Sequence, residues 1–376
     1  MKIVIAPDSF KGAATAKEVA DAIEKGVRVV APGAECVKVP MADGGEGTVQ
    51  SLVDATGGEL VSAEVTGPLG TPVTAWYGLL GDGVTAVIEM AAASGIQFVN
   101  DDTKDPLRTT TFGTGELIED ALDRGVTSFI IGLGGSATND GGAGMAQALG
   151  VRLLDDQGRE LPFGGAALAD LSSIDVSGLD ARLDSVRILL ASDVTNPLTG
   201  ERGASAVFGP QKGATGDMVS VLDDALRHYA ALIRDQLGRE VEGVPGAGAA
   251  GGLGAGFLAF THAAMRSGVQ TVVEATHLKE KAQGADVCFT GEGGIDYQTQ
   301  YGKAPMGTAQ AVKSVSPQCK VIALAGSKGA GIEQLYDVGI DAVFSVSPGA
   351  VSLQEAIAGT LDNVASCTQN LMRLLV

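Results

Sequence analysis

The stretch GLGGSATNDGGAGMAQALG, residues 132–150, places seven glycines in nineteen residues directly after the apolar run SFII. Glycine costs stability inside helices and strands, so this density needs a reason. A strand, a glycine-rich turn and a short helix ending at Gly150 form the plan of an anion site. Turn amides and the positive helix end converge there, and the missing Cβ atoms let the backbone approach a phosphate. Ser136, Thr138 and Asn139 can cap the helix or donate to phosphate oxygens. Cations recur in other glycine-rich loops: Lys11 in DSFKG, Arg202 in TGERGA, Lys212 in GPQKGA, Lys303 in YGKAPMG and Lys328 in GSKGAG. Each supplies local positive potential for a phosphate or carboxylate. Lys25-Gly26 and Arg124-Gly125 read instead as helix C-caps. Carboxylates stand at strand ends: Asp8, Asp43, Asp193, Glu292 and Asp296. Open α/β sheets bind ligands at strand C-termini, where an acid can hold Mg²⁺ or accept a proton from a hydroxyl. Together these features suggest phosphoryl transfer, a chemistry of positioning and charge neutralisation.

Rival chemistries find less support. No G-x-x-x-x-G-K-[ST] occurs; the nearest match, around Gly302-Lys303, has Tyr297 at the first glycine position and Ala304 after the lysine. Gly132-x-Gly134-x-x-Ala137, with Asp155-Asp156 about twenty residues on, matches a dinucleotide fingerprint and would make a nicotinamide-dependent hydroxy-acid dehydrogenase. The extended SATNDGG turn argues against it. A non-enzymatic sensor of small acids would leave the strand-end acids idle. No G-x-S-x-G or Ser-His-Asp arrangement supports acyl hydrolysis. Four scattered cysteines and three histidines show no disulfide or metal spacing.

The elements that must position these residues follow from the apolar pattern. KIVIAP, helix TAKEVADAIEKGV with a stop at Gly26, ECVKVP and helix TVQSLVDATGG form a β-α-β-α start. LVSAEVTG, TPVTAWYGLL and VTAVIEMA read as an antiparallel meander. Residues 217–240 form a long amphipathic helix. After about residue 285, strands ADVCFTG, KVIALAGS and DAVFSVS alternate with helices. The expected fold is α/β, a doubly wound, Rossmann-like parallel-sheet domain from both chain ends (1–65 plus 285–376) with a mixed α/β domain (66–284) inserted. The net charge of −19 over 376 residues disfavours nucleic acid and anionic membranes as partners. No apolar run is long enough to span a bilayer, and the N-terminal apolar segment is too short for a signal peptide, so a cytoplasmic protein is expected. A monomer or a homodimer is equally compatible.

IAPDSFKG (5–12), PMADGGEGT (40–48), GTGELI (113–118), the 132–150 stretch, ASDVTNPLTGERGA (191–204), VFGPQKGA (207–214), TGEGGIDYQT (290–299) and GKAPMG (302–307) occur in this order. In this order they resemble the bacterial-type glycerate kinase family over nearly the whole chain. The resemblance implies ATP-dependent phosphorylation of D-glycerate, at the C2 hydroxyl to give 2-phosphoglycerate, in a cleft between two α/β domains. On that reading Gly134, Gly135, Ser136, Thr138, Asn139 and Asp140 cradle the phosphates of Mg-ATP. Glycerate lies near Asp8, Ser9, Lys11, Asp43 and Gly45, with Lys11 on its carboxylate. Asp193 or Asp296 accepts the hydroxyl proton or holds Mg²⁺, Asp193 being the metal candidate. The family usually carries a larger, often basic residue between Gly293 and Ile295; here it is Gly294, and Lys303 is expected to substitute in binding a phosphate or the glycerate carboxylate.

Overall fold

The structure, a computed structural model, describes residues Met1–Val376. In chain order the strands are β1 (Lys2–Ile5), β2 (Glu35–Lys38), β3 (Glu59–Thr66), β4 (Pro72–Leu79), β5 (Thr85–Glu89), β6 (Ser128–Gly132), β7 (Arg152–Leu154), β8 (Ser173–Asp175), β9 (Arg187–Ala191), β10 (Ala264–Arg266), β11 (Val287–Ile295), β12 (Lys320–Lys328) and β13 (Ala342–Ser345). The chain divides into two compact units. The first combines Met1–Asp43, Gln50–Gly58 and Ser267–Val376; the second combines Gly44–Val49 and Glu59–Arg266.

The first unit carries a five-stranded sheet of order β13-β12-β11-β1-β2, parallel throughout. Ile3, Ile5, Phe289, Ile322 and Leu324 form its core with Val19, Ile23 and Val27 of one helix and Leu371 and Met372 of another. β1 and β11 are nearly continuous buried runs, as parallel strands covered on both faces require. The strand order reverses between β1 and β11, which makes the crevice at their C-terminal ends the natural ligand site. The helix Ala16–Val30 starts at a capping box, in which Thr15 and Glu18 satisfy each other's main-chain N–H. It does not stop at Gly26. A Cβ there would collide with the Ala365 carbonyl, so this glycine serves close packing against the helix Thr360–Leu375.

The second unit holds a mixed sheet of order β10-β9-β6-β5-β4-β3. The meander β3-β4-β5 is antiparallel, and β5, β6, β9 and β10 are parallel. Phe129, Ile131, Ile88, Leu190 and Phe257 are central in its core. The helix Gly216–Leu237 buries Leu226, Tyr229 and Ile233 in a second cluster, a spacing that keeps one helical face inward.

Both unit boundaries differ from the expected ones. β3 pairs with β4 along its whole length, so the second unit resumes at Glu59 rather than at residue 66. The helices Gly268–Ala275 and Leu278–Ala282 belong to the first unit, because Gly307 in the helix Ala304–Val315 lets Val269 pack directly on its backbone.

The Gly/Ala segment before residue 260 explains part of the glycine content. The helix Ala249–Phe260 opens with Ala250, Gly251 and Gly252 in left-handed conformations. A Cβ on Gly251 would strike the Thr138 carbonyl, so the glycine-rich 138–142 loop and this helix meet backbone to backbone. We expect Gly251→Ala to destabilise the second unit by about 2–4 kcal/mol, from left-handed strain plus overpacking. Gly33→Ala, which meets no atom within 4 Å, should stay within about 0.5 kcal/mol of wild type. Urea unfolding followed by circular dichroism checks both.

Candidate active site

In the first unit, the C-terminal ends of β1, β11 and β12 and the segment after β13 enclose a cavity of about 500 Å³. Its polar floor is built by Asp8, Ser9, Lys11, Asp43, Glu292 and Lys303; Val346, Leu353, Ala356 and Ile357 form an apolar wall. Sheet hydrogen bonding sets the floor. The Asp8 N–H donates to the Gly291 carbonyl at 2.8 Å, and Thr290 Oγ1 donates to the Ala6 carbonyl at 2.8 Å. Asp8 is only 4% exposed. Burial, with Asp43 and Glu292 close by, pushes its carboxyl up to about 7; the Ser9 N–H and the Lys11 ammonium pull in the other direction. The Ser9 N–H donates to Asp8 Oδ1 at 2.6 Å. Glu292 is also pushed up by burial, and Lys303 and Thr299 oppose the shift. Lys303 Nζ sits 3.2 Å from Glu292 Oε1, and Thr299 Oγ1 donates to the same oxygen at 2.9 Å.

In the second unit, a cavity of about 370 Å³ is lined by Leu133, Gly134, Gly135, Ser136, Lys212 and Ala250, with Ile96, Val194, Phe208 and Gln211. The loop between β6 and the helix Ala143–Ala148 is held in place on several sides. Ile96 N–H donates to the Gly135 carbonyl at 2.8 Å and Ala137 N–H to the Ser94 carbonyl at 3.0 Å. The Asp140 carboxylate, fully buried, accepts from Thr111 N–H at 2.8 Å, Thr111 Oγ1 at 2.8 Å, Gly142 N–H at 3.1 Å and Gly144 N–H at 3.2 Å. Burial pushes this carboxyl up, and those donors work against the shift. The helix itself has only six residues and follows Gly142 in a left-handed conformation. The groups that line this cavity are therefore those of the loop and Lys212, not a helix terminus. Gly132 and Gly134 stand about ten residues before that helix, which is not the tight turn a dinucleotide fingerprint needs.

The structure sorts the expected residues. Asp8, Ser9, Lys11 and Asp43 come together as one cavity floor. Lys303 joins them, so it is grouped with the carboxylates of the first unit and not with the glycine-rich loop. Gly45 belongs to the second unit, where its Cα lies 3.6 Å from the position of a Gly134 Cβ. Gly134, Gly135 and Ser136 line the second cavity. Thr138, Asn139 and Asp140 are fully buried and do not line it: Asn139 Nδ2 donates to Ser205 Oγ at 2.9 Å, and Asp140 holds the loop. Asp296 does not line the first cavity either. Its carboxylate caps the turn Tyr297–Gln300 by accepting from Gln298 N–H at 2.8 Å. Asp193 is exposed beyond β9, in the second unit. Of the five loop cations, Lys11, Lys303 and Lys212 line cavities; Arg202 and Lys328 are exposed and line neither. Glu292 and Ser327 are cavity residues that the sequence left unassigned. Glu292 carried a strand-end signal, whereas nothing marked Ser327. Gly294 lines the first cavity with open space, its nearest neighbour to a Cβ being Ser327 Oγ at 3.5 Å.

Burial disfavours ionised Asp8, so its contribution to stability is intact below the unfolded pKa near 4 and is lost as pH rises through about 7. Between those limits the wild-type first unit should lose up to about 4 kcal/mol relative to Asp8→Asn. Urea unfolding of both proteins across pH 4–8 measures the difference; parallel profiles would remove the assignment.

The profile of the Glycerate kinase family matches residues 3–376. A glycerate kinase of Bacillus subtilis (strain 168) is 57% identical, with 95% of this chain and 93% of that protein covered. A glycerate 2-kinase of Escherichia coli (strain K12) is 52% identical over 100% of this chain and 98% of its own. The solved structure of a glycerate kinase 2 from Salmonella typhimurium LT2 superposes with a TM-score of 0.92 at 53% identity, covering 100% of this chain and 98% of that one. The chain belongs to the glycerate kinase family.

Proposed function

We propose that this enzyme transfers the γ-phosphoryl group of ATP, accompanied by Mg²⁺, to the C2 hydroxyl of D-glycerate, giving 2-phosphoglycerate and ADP. The observation that carries the reading is the floor of the first cavity. There a buried carboxylate with a pKa near neutrality, Asp8, shares one surface with the cations Lys11 and Lys303. A small hydroxy acid needs both: a cation for its carboxylate and a base for its hydroxyl proton. Relatives described as glycerate kinases and a glycerate 2-kinase support the same substrate and position.

Lys11 takes the glycerate carboxylate, and Glu292 orients Lys303 beside it. Asp8 accepts the C2 hydroxyl proton as the new O–Pγ bond forms; the bond from Pγ to the bridging oxygen breaks and ADP leaves. We assign this proton to Asp8 instead of Asp296 or Asp193, because the Asp296 carboxylate caps a turn and Asp193 is exposed in the second unit. The nucleotide phosphates lie along Gly134, Gly135 and Ser136. No three His, Cys, Asp or Glu side chains form a cluster able to hold a metal ion. Mg²⁺ binds mainly through substrate phosphates with one or two carboxylates; Asp193 is the candidate carboxylate, and the ion would neutralise charge on the phosphates. Neither the relatives nor the loop geometry favours the dehydrogenase or the sensor.

³¹P NMR of the protein with Mg-ATP and D-glycerate should show a phosphomonoester that matches authentic 2-phosphoglycerate; intact ATP, or the 3-phosphate alone, would refute the reading. Asp8→Asn should lower kcat by about 10²–10⁴-fold, while Asp296→Asn, which keeps the cap, should remain within a few fold of wild type. Wild-type kcat/KM for glycerate should fall as pH drops below about 7, where Asp8 protonates. Wild-type turnover in Asp8→Asn would exclude it as the proton acceptor.

A further inference from the structure

Lys212 is a buried cation with no counter-charge in contact. Its side chain is 1% exposed, on the turn Pro210–Lys212 that ends at Gly213 with φ of +98°. Its ammonium donates to the Thr138 carbonyl at 2.6 Å. Asp140 is the charged group that it senses, through space and without a hydrogen bond, and the four donors on Asp140 already occupy that carboxylate. An ammonium has three donors, and burying one without a counter-ion is strongly unfavourable. Burial pushes its pKa down to about 7, with Asp140 opposing.

The cavity beside it has the matching character. Gly134, Gly135 and Ser136 line it with Lys212, and their main-chain N–H groups meet no protein acceptor. Leu133, Val194 and Phe208 give it apolar walls, which strengthen any charge interaction inside. We propose that Lys212 binds the phosphoryl oxygens of the nucleotide in this cavity, its ammonium acting with the main-chain N–H groups of Gly134, Gly135 and Ser136. This rests on the reading of the glycine-rich loop as the nucleotide-phosphate site and adds the charged residue that the site requires.

The test is calorimetric titration of ADP, without metal, at pH 8.5 in buffers of different ionisation enthalpy. Lys212 is then largely neutral and ADP fully ionised, so the wild-type protein should take up close to one proton per ADP as the ammonium re-forms. Lys212→Arg, always charged, should bind ADP without that uptake. Lys212→Met should bind about 10- to 100-fold more weakly. Wild-type binding without proton uptake, no ADP binding at all, or a folded Lys212→Met with wild-type affinity would each overturn the proposal. If Lys212→Met does not fold, the wild-type titration decides alone. Proton-linked ADP binding in a protein that leaves glycerate unphosphorylated would keep this inference and discard the functional reading; glycerate phosphorylation with no uptake would do the reverse.

Discussion

The second unit is organised around one buried carboxylate. Asp140 accepts four hydrogen bonds, two from Thr111 and two from the amides of Gly142 and Gly144. A charge removed from water must be compensated by such donors or by an opposite charge. Here the donors are main-chain groups of the loop itself, so satisfying the charge also dictates the loop's shape. The consequences spread outward. The Thr138 carbonyl is presented to Lys212, Gly251 packs against the same carbonyl, and Gly134 and Gly135 stay exposed at the front. Polar recognition at the surface thus depends on a polar contact in the interior.

The first unit reaches its site by another route. A parallel sheet whose order reverses between β1 and β11 leaves a crevice that no crossover helix covers. The residues that fill it come from opposite ends of the chain: Asp8 and Lys11 follow β1, while Glu292 and Ser327 lie on β11 and β12. The charges of Asp43 and Glu292 help to raise Asp8 while Lys11 opposes them, and Lys303 opposes the rise that burial causes at Glu292. The balance leaves the Asp8 carboxyl with a pKa of about 7, in the range that favours general acid–base chemistry near neutral pH.

Against a net charge of −19, the cations at these cavities stand out. A strongly acidic surface repels anionic substrates in general. Positive charge is brought to the two cavities by lysines that line them: Lys11 and Lys303 in the first, Lys212 in the second. Lys212 and Lys303 are partly or wholly withdrawn from water, where a field is less screened; Arg202 and Lys328, equally suggestive in sequence, lie on the exposed surface and line neither cavity.

Most strands and helices, though not the short β8 and β10, were legible because apolar periodicity records which face is buried, and burial dominates the choice of secondary structure. The assembly of one parallel sheet from both chain ends, the antiparallel meander and the glycine-rich loop after β6 follow from that pattern and from turn chemistry. Sequence could also name the groups capable of chemistry, since residue type sets donors, acceptors and charge. It could not say which of them face a cavity. Thr138, Asn139 and Asp140 carry the same polar groups as Ser136, yet they lie behind the loop. Asp296 resembles Asp8 in following a strand but serves as a cap. Gly26 has the composition of a helix stop, yet it lies inside a helix because another helix, over three hundred residues away in sequence, packs on its backbone. Residue type, local propensity and apolar spacing are properties of neighbours along the chain. Burial, pKa and the pairing of Lys303 with Glu292 or of Asp140 with Thr111 arise only when distant segments meet, because desolvation and Coulomb forces act through space.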